Sequence, residues 1–130
     1  MIEELLAGFK TLLPDIDLRL NADESAELNP DGTVIMTITQ EAPVQIEVPD
    51  SRFQLVFSGQ TLGTEDRDGA KINALYESVM AGLKAMDASD IATASGEPAA
   101  LFYVESSTPP AMAQDAKFFQ ITTVIFITGE

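Results

Sequence analysis

Residues 52–86 read RFQLVFSGQTLGTEDRDGAKINALYESVMAGLKAM, a strand pattern that gives way to a helix pattern across an acidic loop. Phe53, Leu55 and Phe57 alternate with polar residues, as in a strand with one buried face. In residues 72–86 the apolar side chains recur every three or four positions, which is the repeat of an amphipathic helix. This stretch therefore predicts a strand, a loop and a helix, in that order.

The same two patterns recur on both sides of this stretch. Residues 2–13 carry a helical apolar stripe that ends at Pro14, and residues 33–40 (TVIMTITQ) alternate and are rich in β-branched side chains. Residues 117–128 (KFFQITTVIFIT) are apolar on both sides, which is typical of a central strand covered on both faces. Between the last two strands, residues 106–116 predict a long, weakly charged loop.

The order of these elements favours one fold class. A helix, a run of strands, a second helix and a second run of strands group the strands instead of alternating them with helices. We therefore predict an α+β fold, with an antiparallel or mixed sheet of four to six strands packed with two helices. The chain has 130 residues, of which 45% are hydrophobic, so a single domain spanning residues 1–130 is expected.

The composition excludes several kinds of chemistry. The chain contains no His, no Cys and no Trp. Nucleophiles activated by His, thiolate nucleophiles and Cys/His zinc sites all need an imidazole or a thiolate. We expect no catalytic residues, no cofactor and no metal site. The amino terminus is acidic and no uncharged apolar run approaches the ~18 residues of a membrane span, so a soluble, unprocessed protein is expected.

The charge balance is strongly acidic. There are 7 Lys+Arg against 21 Asp+Glu, a formal net charge of −14, which opposes specific binding to nucleic acid or to anionic lipid. Such acidity is typical of a soluble surface, and it would also suit a surface that mimics DNA or lines a passage for DNA. Candidate residues for an acidic surface or lumen are Asp23, Glu24, Glu27, Glu65, Asp66 and Asp68.

The acidic loop at residues 65–69 does not match a calcium-binding loop. With Gly69 at the sixth position, Thr64 takes the first ligand position and Leu75 the twelfth, where Glu is needed. Turn and cap chemistry is the better interpretation, with Asp66 or Asp68 accepting the first free amides of the helix. A hydrolase that uses two carboxylates is an alternative, but no feature selects one pair among so many.

The final third of the chain is poor in charge. Between Ala99 and Gly129 the charged residues are Glu105, Asp115 and Lys117. Interface cores are depleted in charge, and a buried central sheet would show the same composition. Candidate residues for a subunit or partner interface are Thr108, Pro109, Pro110, Met112, Phe118 and Phe126.

The element order resembles that of small tail-terminator or tail-completion proteins of long-tailed bacteriophages. The resemblance rests on an amino-terminal helix, strands ending in RFQLVFSG, the helix DGAKINALYESVMAGLKAM and final strands ending in FFQITTVIFITGE. It implies an α/β protein without catalysis that forms a ring, often a hexamer, which caps the tail tube and joins it to the head. Its partners would be copies of itself, the tail tube and head-connector proteins, in the virion and in the host cytoplasm during assembly.

The resemblance also implies roles for the candidate residues. The 106–116 loop and the final strands would make subunit or tube contacts, and the acidic residues would face the lumen. An acidic DNA-mimic that inhibits a nucleic-acid-binding enzyme remains the alternative, because the charge of −14 suits a basic groove.

Overall fold

The computed structural model describes residues 2–20, 32–40, 51–62, 66, 68–112 and 116–128. These residues form three helices and five strands: α1 (Ile2–Leu12), β1 (Leu18–Leu20), β2 (Thr33–Gln40), β3 (Ser51–Leu62), α2 (Ala70–Ala85), α3 (Ala88–Ser95), β4 (Ala99–Met112) and β5 (Ala116–Ile127). The strands make one mixed sheet in the order β1-β2-β3-β5-β4, in which β1 is parallel to β2 and the other neighbours are antiparallel. The predicted α+β class is confirmed.

The helices cover one face of the sheet and form the core with it. Phe9 of α1 packs edge-on against Phe57 of β3, with ring centroids 5.2 Å apart, and its ring centroid lies 5.8 Å from that of Phe102 in β4. Alternate residues of β3 are buried on this face, as the sequence predicted. The helices contribute further buried apolar side chains, among them Leu5, Ile72, Val79, Leu83 and Ile91.

A close contact between β3 and β5 requires a glycine. Gly59 lies opposite Phe119 in the sheet, and a Cβ on Gly59 would come within 2.1 Å of the Phe119 ring. Tyr76 of α2 packs edge-on against the Phe119 ring, with ring centroids 5.3 Å apart. The missing side chain at position 59 therefore lets the Phe119 ring lie across β3 beneath α2.

α3 is an element that the sequence patterns did not predict. Asp87 caps its first turn through a reciprocal pair of bonds, in which the Asp90 amide donates to the Asp87 carboxylate at 2.9 Å and the Asp87 amide donates to the Asp90 carboxylate at 3.0 Å. Gly96 ends the helix with φ 78°, a left-handed conformation that glycine adopts readily. α3 packs against α1 and is too short to show a clear helical repeat.

The predicted loop over residues 106–116 is wrong for residues 106–112, which belong to β4, and for Ala116, which belongs to β5; residues 113–115 lie outside the described residues. The register of β4 against β5 shifts between Thr108 and Ala111, so Pro109 and Pro110 lie in a bulge outside the regular ladder. β4 is also an edge strand, where a missing N–H costs no sheet hydrogen bond. Two prolines are therefore compatible with this strand although they resemble a loop signal.

β5 is central, as predicted, but its two faces differ. Ile121 and Ile125 are buried beneath the helices, whereas no element in the described ranges covers the opposite side of the sheet. We call that side the open face. By strand alternation its residues are Thr33, Ile35, Thr37, Thr39, Arg52, Gln54, Val56, Ser58, Gln60, Leu101, Tyr103, Glu105, Ser106, Thr108, Phe118, Gln120, Thr122, Val124 and Phe126, together with Arg19 of β1. Thr33 and Val124 are buried, and the other described side chains of this side are half-buried or exposed.

Among the residues that the structure describes, no helix is long and apolar enough to cross a membrane.

Candidate functional site

The open face exposes large apolar side chains. Leu101 is 48% exposed, Tyr103 39% and Phe118 43%. Single exposed hydrophobic residues are ordinary on protein surfaces, but these three lie on one face of two paired strands. Their position on one face of the sheet makes the open face the candidate site for contact with another molecule.

One end of the open face is a cluster around Arg52, which we call the Tyr103 cluster (Arg52, Leu101, Tyr103 and Phe126). The Arg52 guanidinium carbon lies 5.9 Å from the centroid of the Phe126 ring, and Nη2 donates to the Tyr103 hydroxyl at 3.3 Å. Both Arg52 and Leu101 lie opposite Phe126 in the sheet, on its two sides. Arginine and tyrosine are enriched among the residues that carry the binding energy of protein interfaces.

The other end of the open face is a shallow cavity beside Phe118. Its volume is about 330 Å³, and its lining residues are Ser58, Gln60, Thr108, Phe118, Phe119 and Gln120. Hydroxyl and amide groups surround the exposed Phe118 ring, so the cavity offers both apolar area and hydrogen-bonding groups. No charged side chain lines it.

Charge is segregated between the two sides of the described molecule. On the open face the charged residues in the described ranges are Arg19, Arg52 and Glu105; Arg19 is paired with Asp17 at 3.0 Å, and Glu105 is exposed at a register shift of β4. Several exposed carboxylates lie on the helical side, at Glu3, Glu4, Glu77, Asp87 and Asp90. Among the described residues of this chain, whose net charge is −14, the sheet surface thus carries fewer carboxylates than the helical side.

The predicted interface residues fall in and beside this surface. Thr108, Phe118 and Phe126 lie on the open face, and Phe126 is half-buried there. In the bulge of β4, Pro109 is exposed and Pro110 is half-buried. The backbone of Met112 lies in β4, but its side chain is outside the described residues. Sequence reasoning missed the contributions of Arg52, Leu101 and Tyr103, which depend on cross-strand pairing.

The prediction that Asp66 belongs to an acidic surface is wrong. Its side chain is buried and accepts hydrogen bonds from the Thr61 hydroxyl at 2.8 Å and from the amides of Lys71 and Ile72, each at 2.9 Å. Burial by itself would raise the pKa of Asp66, but these three donors and the charge of Lys117 outweigh it and hold the pKa below 3.8. Asp66 therefore anchors the start of α2.

The other acidic candidates have different outcomes. Asp68 is exposed, and its carboxylate accepts a hydrogen bond from the Ala70 amide at 3.0 Å. Both aspartates thus accept free amides of α2, as the cap prediction proposed. Asp23, Glu24, Glu27 and Glu65 lie outside the described residues.

A second cavity lies between α2 and the segment that follows α1. It has a volume of about 380 Å³ and is lined by residues 12–16 and by Lys71, Ala74, Leu75 and Ser78. Leucine and alanine side chains make up much of this lining, with Asp15 and Lys71 as its charged members. Within the part of the chain that the structure describes, no three His, Cys, Asp or Glu side chains are grouped so that they could hold a metal ion.

Comparisons with known proteins do not assign a family. No family model matches the sequence, and no curated protein matches it. One solved structure is similar over 100% of this chain and 97% of its own chain, with 9% identity and a TM-score of 0.47. At that distance the similarity carries no argument. The fold and the open face define the class of the protein: a single-domain α+β protein whose described sheet surface exposes large apolar side chains.

Proposed function

We propose that this protein is a structural component of a bacteriophage or prophage tail, of the tail-terminator or tail-completion type. In this role it assembles with copies of itself into a ring, often of six subunits in the proteins it resembles, and joins the tail tube to the head. It uses no catalysis and no cofactor, and it acts in the host cytoplasm during assembly and then in the virion.

The observation that carries this proposal is the open face. A structural subunit needs surfaces that copies or tail partners can cover, and such surfaces are apolar and depleted in charge at their centre. Exposed Leu101, Tyr103 and Phe118, on a face that carries fewer carboxylates than the helical side among the described residues, meet that need. The element order of the chain supports the same conclusion, although the structure contains one helix, α3, that the sequence did not predict.

The acidic side of the molecule supports a second part of the role. Exposed carboxylates on the helices, and Asp68 at the start of α2, give this side a negative potential. A negative surface that faces the lumen of a ring would keep DNA from binding as it passes. Asp66 has no part in this, because its carboxylate is buried.

The test is the mass of the purified protein by light scattering over a range of concentrations, with negative-stain electron microscopy of the same samples. We expect a discrete assembly near six times 14.0 kDa, visible as rings. Binding to isolated tail tubes is measured in parallel, because ring formation can require the tube as a template. A strict monomer at high concentration that also fails to bind tail tubes contradicts the proposal.

The same samples separate this role from the DNA-mimic alternative. An inhibitor of that kind captures a basic nuclease in a salt-sensitive manner, because its interface is electrostatic. In the described residues, several carboxylates are occupied by caps or by an ion pair, including those of Asp17, Asp66, Asp87 and Asp90. These carboxylates stabilise the fold, and they are therefore less available to imitate the phosphates of DNA. This favours the tail role over the DNA-mimic alternative.

A further inference from the structure

We propose that the open face is the self-association surface and that its occupant is a second copy of this chain. This inference rests on the proposed function, because it names the surface through which the subunits meet. It is carried by the distribution of charge, by the size of the face and by the blunted edge of the sheet.

Charge selects the occupant. Two copies with a net charge of −14 repel each other, and the repulsion is greatest where exposed carboxylates are brought together. The helical side of the described molecule carries several such carboxylates. Among the described residues the open face brings fewer carboxylates to such a contact, namely Glu105 and the Asp17 that is paired with Arg19, and the Arg52 guanidinium there adds attraction to a negatively charged neighbour.

The size of the open face suits a stable interface. At strand spacings of about 4.8 Å and rises of about 3.3 Å per residue, β2, β3, β5 and β4 present a surface on the order of 700 Å². A standard interface buries about 800 Å² on each partner. The face is therefore large enough for a specific contact between copies.

Apolar anchors stand at both ends of this surface. Phe118 lies at one end and the Tyr103 cluster at the other, about 26 Å away along β5 at ~3.3 Å per residue. Ser58, Gln120 and Thr122 lie between them and supply hydrogen-bonding groups. Specific protein interfaces typically combine large side chains that become buried with polar groups around them.

The edge of the sheet is a poorer surface for the same purpose. β4 has register shifts at three places against β5, and Pro109 and Pro110 lie in one of them. Bulges and prolines are the features that prevent an edge strand from pairing with another chain. Contact through the open face is therefore favoured over strand pairing along β4.

The test introduces a carboxylate at each end of the open face of the full-length protein. Phe118→Glu and Tyr103→Glu are compared with Ala81→Glu, which adds the same charge at an exposed position of α2. Sedimentation velocity and light scattering give the self-association constant, and circular dichroism confirms that each variant is folded. We expect each open-face variant to weaken association at least about tenfold, with Ala81→Glu near the wild-type value.

Two further variants at position 118 distinguish a loss of the contact from a loss of folding. Phe118→Leu keeps an apolar anchor and should retain association, whereas Phe118→Ser should weaken it without adding charge. Open-face variants that assemble like the wild type overturn the inference. An equal loss from Ala81→Glu also overturns it, because net charge would then explain the effect.

The failure of this inference differs from the failure of the proposed function. If wild-type copies stay monomeric, or if assembly ignores the open face, the inference fails. In that case the proposed function still stands if Phe118→Glu binds isolated tail tubes as well as the wild type does. If copies associate through the open face but do not bind tail tubes, the inference stands and the tail role fails.

Discussion

Asp66 joins three elements of the structure at one buried point through its carboxylate and its backbone carbonyl. It accepts hydrogen bonds from Thr61 of β3 and from the amides of Lys71 and Ile72 in α2, while the Lys117 ammonium of β5 donates to the Asp66 backbone carbonyl. A charged group removed from water is costly unless donors replace its hydration. Here the first free amides of α2 supply them, so one residue sets the position of the helix on the sheet.

Replacement of this carboxylate should therefore destabilise the protein. Asp66→Asn puts an amide nitrogen in place of one acceptor oxygen and removes the charge beside Lys117. We expect the free energy of unfolding at pH 7, measured by urea denaturation, to fall by about 1–3 kcal/mol. Asp68→Asn is the control, because Asp68 is exposed and Asn caps helices nearly as well as Asp. Equal losses from the two substitutions would contradict the prediction.

The effect of Asp66 should also depend on pH. Its folded pKa is depressed below 3.8, so its stabilising contribution is present in full above that value and is lost as the pH falls through the folded pKa. The difference in unfolding free energy between the wild type and Asp66→Asn should therefore shrink as the pH is lowered from about 5 to about 2. A constant difference across that range would show that the charge of Asp66 contributes nothing.

Among the elements, α3 depends most on its ends. It has eight residues, Ala88–Ser95, which is shorter than the length at which helices are stable alone. The reciprocal cap between Asp87 and Asp90, the left-handed Gly96 and the packing of Ile91 in the core hold it in place. Because α3 packs against α1, its stability affects the helical layer as a whole.

Loss of the α3 cap should have a measurable cost. Asp87→Ala removes the acceptor for the Asp90 amide, and we expect thermal and urea denaturation to show a loss of about 1 kcal/mol. Ser89→Ala, at an exposed position in the first turn of the same helix, serves as the control and should change stability little. If Asp87→Ala is as stable as the wild type, the packing of Ile91 and the left-handed turn at Gly96 are sufficient to hold α3.

At the scale of the whole molecule, acidity and apolar surface are separated. The helical side carries exposed carboxylates, and the open face carries Leu101, Tyr103 and Phe118. If the open face is the self-association surface, the acidity opposes contact between copies while the apolar side chains of that face favour it. Dissolved salt should then alter the balance between these two effects.

Self-association of this protein should strengthen with salt. The screening length falls from about 10 Å at 0.1 M to about 3 Å at 1 M, which weakens repulsion between acidic copies and leaves apolar contact in place. We expect the dissociation constant from sedimentation to fall several-fold as NaCl is raised from about 0.05 M to about 0.5 M. Phe118→Glu, which places new carboxylates at the contact, should show a steeper dependence. Association that weakens with salt would indicate attraction between opposite charges.

Local sequence patterns were sufficient for most elements of the fold. The alternation of Phe53, Leu55 and Phe57 predicts a strand with one buried face, and the stripe at residues 72–86 predicts α2, because each pattern reflects which side of one element faces the core. The sequence alone also determined the α+β class and the acidity of the chain. α3 was missed, although the two aspartates at positions 87 and 90 and Gly96 are cap signals that flank it.

The candidate site depended on tertiary structure. Pro109 and Pro110 indicate a loop by local rules, and only the edge position of β4 makes them compatible with a strand. Asp66 resembles a surface acid in sequence, yet the amides of α2 and the hydroxyl of Thr61 meet it in the interior. Arg52 and Tyr103 are 51 residues apart and come together only when β3 and β4 pair with opposite sides of β5. The sequence determined which residues are apolar, charged or turn-forming, because those are properties of single residues and short segments. Tertiary structure decided which of them share a surface, because that depends on contacts between residues distant in the chain.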